Sequence, residues 1–116
     1  MPASNRDRDV VEHILRYCDQ IETAHADFRR SRDRFDESST YQNAVSMCIL
    51  QIGELVNHLT DAFKSDNDEI PWKRIRGMRN YIAHEYGSID LDVVWYVATN
   101  SACELKVFCE NYLNRQ

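Results

Sequence analysis

The chain has 116 residues and a formal net charge of −5, with 43% hydrophobic and 28% charged residues but only 3 Gly and 2 Pro. This length suits a single domain over 1–116 and leaves no room for a separate substrate domain, and scarce turn formers beside abundant amphipathic material favour helices over short strands. The acidic balance excludes a surface that attracts nucleic acid as a whole, so phosphate binding must be local; no run approaches the roughly 18 apolar residues of a membrane span, and the polar start Met1 to Arg8 has no apolar signal region, so a cytoplasmic location is expected.

The first helix is expected from Asn5 or Asp7 to about Arg30, with Val10, Ile14, Tyr17, Cys18, Ile21 and Phe28 on one face. His13 and His25 on it have no evident partners and read as ordinary helix residues. A charged stretch follows, where the chain reverses, with a short extra helical turn around Ser31 to Phe35. The second helix should start near Ser38 or Ser39 and run to about Lys64, with Tyr41, Val45, Cys48, Ile52, Leu55, Leu59 and Phe63 as its apolar stripe. Its opposite face mixes Met47, Leu50, Glu54 and His58, a composition better suited to a partner surface than to open water. Glu54 and His58 are four apart, a spacing that can chelate metal, but no matching carboxylate and histidine set occurs on another helix, so no metal and no cofactor are expected.

After the acidic loop SDNDE, Ile70-Pro71-Trp72 opens a third helix that runs to about Glu85, with Gly87 ending it in a left-handed conformation. Asp90 is a suitable N-cap for the fourth helix, Ile89 can staple against Val94, and Val94, Val97, Ala98, Leu105, Phe108, Cys109 and Tyr112 carry its apolar stripe. Trp72 and Trp95 read as core or interface anchors. The cysteines Cys18, Cys48, Cys103 and Cys109 show no CxxC pairing and no nearby ligand histidines, and read as reduced residues of the core. The fold expected is all-α, an antiparallel four-helix bundle with the short extra turn after its first helix.

The third helix holds the chemistry. Ile75, Met78 and Ile82 form its inward stripe; at about 100° per residue His84 falls on the opposite side with Asn80 and Lys73 near it, and Arg79 sits on the shoulder. Lys73, Arg74, Arg76 and Arg79 place four of the 14 Lys and Arg residues within one seven-residue window, a local phosphate-binding patch on an acidic chain. Arg79 offers a permanently charged planar fork for phosphate, and His84 gives and takes protons near neutral pH. RNA cleavage without metal needs a base for the 2′-hydroxyl proton, an acid for the leaving 5′-oxygen and a cation on the phosphoryl oxygens. His84 fits either the base or the acid role. One histidine cannot serve both at once, and a second copy meeting the Glu54 face of helix two and the polar face of helix three across a two-fold axis would supply the other.

The string Arg79-Asn80-Tyr81-Ile82-Ala83-His84-Glu85-Tyr86 has the R-x4-H-x-Y form and resembles the HepT-like toxins of the HEPN ribonuclease superfamily. Ile52-Gly53-Glu54, Ile70-Pro71-Trp72, Gly77-Met78-Arg79-Asn80 and Asp90 with Val94-Trp95 stand in the order found in that family, from about Ala44 to Leu105. The resemblance implies a HEPN-like bundle and a metal-independent endoribonuclease toxin that acts as a homodimer, with Arg79 and His84 catalytic and Asn80 in the motif's variable, often polar, position; Asn80, and Glu54 from the partner face of helix two, are expected to support them. It implies a nucleotidyltransferase antitoxin of the MntA kind, with Tyr86 the acceptor of AMP that silences the toxin. Lys73 and Arg76 would contact the RNA; DNA and membranes are not expected partners. The competing reading is a catalytically silent binding module that holds a nucleotidyltransferase or its nucleotide. Without its context, Arg79 would read as an ion-pairing residue, His84 as a solvated one and Tyr86 as packing.

Overall fold

A computed structural model describes residues 5–115, and every regular element among them is helical. The order is α1 (Asn5–Asp27), α2 (Arg32–Glu37), α3 (Ser39–Val56), α4 (Asp61–Asp66), α5 (Trp72–Glu85), a 3-10 turn (Tyr86–Ser88), α6 (Leu91–Tyr96), a π-helical segment (Val97–Ser101) and α7 (Ala102–Asn114). Contacts between helices fix their directions. Asp7 meets Thr60, Gln20 meets Cys48 and His25 meets Tyr41, so α1 and α3 are antiparallel. Arg30 meets Thr99 and Asp19 meets Lys106, which sets the α6–α7 run against α1. Tyr86 meets Asn43 and Arg79 meets Glu54, which sets α5 against α3. The result is the expected antiparallel bundle, with α1 and α3 as its middle pair, α5 beyond α3 and α7 beyond α1.

Capping explains most boundaries. Ser31 accepts from the Arg34 N–H at 3.2 Å, which starts the extra turn as α2, and Ser38 accepts from the Tyr41 N–H at 3.1 Å to start α3. Asp90 caps α6 through the Asp92 N–H at 2.9 Å. The second helix departs from expectation, because α3 stops at Val56 and α4 begins after a turn. Thr60 caps α4 by accepting from the Phe63 N–H at 3.1 Å, and the buried Asp7 carboxylate receives the Thr60 N–H at 2.9 Å and hydroxyl at 2.8 Å. Leu59, within the break, and Phe63, beyond it, are both buried, so the apolar spacing continues across it and conceals it.

Gly87 does not terminate α5 as expected: it has no positive φ, and the helix tightens into the 3-10 turn. The left-handed residues are Arg29 and Arg30, at φ 59° and 50°, which close α1. That conformation costs roughly 1–2 kcal/mol per non-glycine residue. It is offset at Arg30 by an N–H bond to the His25 carbonyl at 2.6 Å and guanidinium bonds to the Thr99 carbonyl and Glu22.

The core fills with two aromatic groups. At one end Phe28 stacks on Tyr41 at 4.5 Å, and Phe35 packs on Tyr41 and Trp95. At the other, Phe63, Trp72, Phe108 and Tyr112 pack together. Both tryptophans are thus core anchors. Cys18, Cys48 and Cys109 lie in the core as free thiols, with Cys103 half-buried. Burial pushes the Cys48 thiol up to about 11 and the Cys109 thiol up to about 12, so both stay protonated at neutral pH.

His25 is not an ordinary helix residue. It is buried, with Nδ1 on the Tyr41 hydroxyl and Nε2 3.0 Å from the Ala98 carbonyl in the π-helical segment. A carbonyl only accepts, so the proton sits on Nε2 and the Tyr41 O–H donates to Nδ1. Tyr41→Phe leaves that nitrogen buried without a donor and should cost about 1–3 kcal/mol. Urea denaturation measures it, and an unchanged midpoint would refute the pairing.

Candidate active site

The site forms where α3 and α5 approach most closely. Gly53 is buried on α3, and a Cβ there would overlap Arg79 Cβ while standing 3.2 Å from the Ile75 carbonyl oxygen. A residue with no side chain at 53 therefore brings the two backbones together. Glu54, next in sequence, then meets Arg79 across the contact and accepts from its Nε. Nη1 of Arg79 donates to Asn80 Oδ1 at 3.2 Å. Both charged side chains are about one-third exposed, at 32% for Arg79 and 38% for Glu54. Nη2 makes no hydrogen bond among the described residues, and a guanidinium edge of this kind suits an anion.

His84 lies on the same helix, exposed, and makes no hydrogen bond among the described residues. It stands five positions after Arg79, about 140° of helical rotation. Lys73, Arg76, Asn80 and His84 recur at three- and four-residue intervals and are all exposed, so they form one stripe along α5. Gly77 and Ala83 on this stripe are small and also exposed. On α3, Met47 is 49% exposed and Leu50 half-buried, in line with Glu54. His58 does not share that face: it lies in the turn after α3, so the Glu54/His58 spacing has no helical meaning.

Tyr86 opens the 3-10 turn, is 48% exposed, and donates its hydroxyl to Asn43 Oδ1 at 2.5 Å. The turn is held from its other side by Tyr81, whose hydroxyl accepts the Asp90 N–H at 2.6 Å. Sequence reasoning missed Asn43. The signal was present: Asn43, Met47, Leu50 and Glu54 follow the spacing of one helix face. It also gave Gly53 no role, because only the packed pair of helices reveals how close they lie.

Among known proteins, the family model described as "Ribonuclease HepT-like" matches residues 14–112. A protein of Caldanaerobacter subterraneus subsp. tengcongensis, described as a candidate RNase, is 28% identical over 110 residues, which cover 94% of this chain and 96% of that protein. A protein of Thermococcus cleftensis, named a probable ribonuclease HepT, is 32% identical over 102 residues, 85% of this chain and 88% of its own. A candidate RNase of Methanocaldococcus jannaschii is 30% identical over 95 residues, 80% of this chain and 78% of its own. No solved structure gives a significant match. The chain belongs to the ribonuclease HepT-like family.

Proposed function

We propose that the chain is a metal-independent endoribonuclease, the toxin of a cytoplasmic toxin–antitoxin pair, which cleaves RNA in a cleft between two copies. The observation that carries this is the arrangement on α5: Arg79 braced by Glu54 and Asn80 with a free guanidinium edge, and an exposed His84 on one stripe with Lys73 and Arg76. Lys73 and Arg76 hold backbone phosphates. His84 of one protomer removes the 2′-hydroxyl proton, and the 2′-oxygen attacks the adjacent phosphorus. The 5′-oxygen leaves with a proton from His84 of the other protomer, while the Arg79 guanidinia neutralise the crowded phosphoryl oxygens. The products are a 2′,3′-cyclic phosphate and a 5′-hydroxyl.

Two copies are needed because one imidazole cannot be base and acid in one step. The exposed Met47, the half-buried Leu50 and the small Gly77 and Ala83 supply a face on which a second copy can approach closely. Control falls to Tyr86. Its exposed hydroxyl attacks the α-phosphorus of ATP bound by an MntA-like nucleotidyltransferase, losing its proton as pyrophosphate departs, and the added AMP places negative charge near the RNA path.

The test is cleavage in excess EDTA, with end analysis by mass spectrometry. Cutting should persist and leave cyclic or 3′-phosphate ends. Activity abolished by EDTA, or 5′-phosphate products, would overturn the mechanism; a protein that binds a nucleotidyltransferase but never cuts RNA would be a silent binding module instead.

A further inference from the structure

Beyond the α5 stripe, a groove of about 690 Å³ lies between α4 and the first turns of α5. Val56 and Trp72, both buried, contribute to its floor, and its rim carries four cations against two carboxylates. The chain as a whole has the opposite balance, at −5. Two of the cations, Lys73 and Arg76, also belong to the α5 stripe; the other two, Lys64 and Arg74, lie off it, Arg74 in the basic window of α5 and Lys64 on α4. Lys73, Arg74 and Arg76 make no ion pair among the described residues, and Lys64 reaches only Asp61, at 3.9 Å, whose side chain is fully solvated. Exposed pairs of that kind hold little energy against a competing phosphate. The first turn of α5 borders the groove with no side chain capping it, so the positive end of its backbone dipole faces the same side.

Three features select the occupant. The groove is an open trough, which suits a polymer lying across it better than a small molecule that must be enclosed. Its cations come from two helices, Lys64 from α4 and Lys73, Arg74 and Arg76 from α5. It is also continuous with the α5 stripe: the eleven steps from Lys73 to His84 span roughly 16 Å at 1.5 Å each, a distance of a few nucleotides.

We infer that this groove seats the single-stranded RNA flanking the cleavage position, with Lys64 and Arg74 as phosphate contacts that extend the track of Lys73 and Arg76; the inference rests on the ribonuclease reading for its substrate. Phosphate contacts position a strand without reading its sequence, so the groove sets the length of RNA engaged and not the base at which it is cut.

The test compares wild type with the double variant Lys64→Ala/Arg74→Ala on a 20-nucleotide single-stranded RNA and on a tetranucleotide. Binding is measured separately, by fluorescence anisotropy on an uncleavable 2′-O-methyl 20-mer across a salt series. The variant should cut the 20-mer about tenfold less efficiently, through KM, with the loss absent on the tetranucleotide. The slope of log affinity against log salt should flatten by roughly 1.4, two contacts at about 0.7 each for single strands. If wild type cuts RNA and the variant binds and cuts the 20-mer as well as wild type, or loses both substrates equally, the groove inference falls while the nuclease reading stands. If wild type cuts neither substrate but the variant still loses 20-mer affinity, the groove stands and the nuclease reading falls. Loss of neither cleavage nor affinity on charge reversal by Arg74→Glu would also overturn it.

Discussion

His84→Ala should lower RNA cleavage about 10²–10⁴-fold, the range for losing a proton-transfer catalyst, while RNA affinity and thermal stability stay near those of wild type. His84 is exposed near the end of α5 and bonds to nothing among the described residues, so its removal opens no cavity and strands no partner. Alanine is moreover the best helix former. Affinity is retained because, in the proposed mechanism, the phosphate contacts come from Arg79, Lys73 and Arg76. Arg79→Ala should differ, losing affinity as well as rate, since in the proposed mechanism the guanidinium would hold the phosphate before and during reaction. Mixing His84→Ala with wild-type protein gives a sharper result. Mixed dimers hold a single intact His84, so if base and acid come from different protomers they should cut far more slowly than wild type, and activity should fall faster than the share of wild-type chains. Activity that merely tracks that share would place each site within one chain, and undiminished cutting by His84→Ala would end the acid–base mechanism.

Gly53→Ala should destabilise the fold by about 1–3 kcal/mol, the usual cost of forcing atoms into a filled contact, and lower Tm by several degrees. The new methyl group would meet Arg79 Cβ and the Ile75 carbonyl, neither of which is the loose end of a side chain. The strain can be relieved only by moving α5 away from α3. That shift lengthens the reach from Glu54 to Arg79, so cleavage should fall even at temperatures where the variant is fully folded. Glu54→Gln separates the two effects: it keeps the packing, changes the charge beside Arg79 and should leave Tm nearly intact. Thermal melts of the two variants decide the matter, and a Gly53→Ala protein as stable as wild type would mean that the helices do not touch there.

The fold was legible where periodicity and capping agree. The apolar stripes of α1, α3, α5 and α7, the Ser38 and Asp90 caps and the turn after α1 all follow from local pattern. Periodicity failed at Thr60, because Leu59 and Phe63 keep the same spacing through a turn that is fixed by Asp7, 53 residues away. It failed at Gly87 because a glycine permits a left-handed cap without requiring one. His25 was misread for the same reason as Thr60: its partners, Tyr41 and Ala98, come from other helices. In the candidate site, the side on which each α5 residue lies was readable from the wheel. The bracing of Arg79 and the bond from Tyr86 to Asn43 depend on the α3–α5 contact, which no single-helix pattern contains.

The six residues of α4 are too few to hold a helix by backbone bonding alone. Their cap is itself gripped by Asp7, in the opening turn of α1. One wall of the basic trough is therefore anchored at the far end of the chain. Fraying of the first turn of α1 and slackening of that wall become a single event, and a perturbation there would be felt in the trough before it is felt at Arg79 and His84.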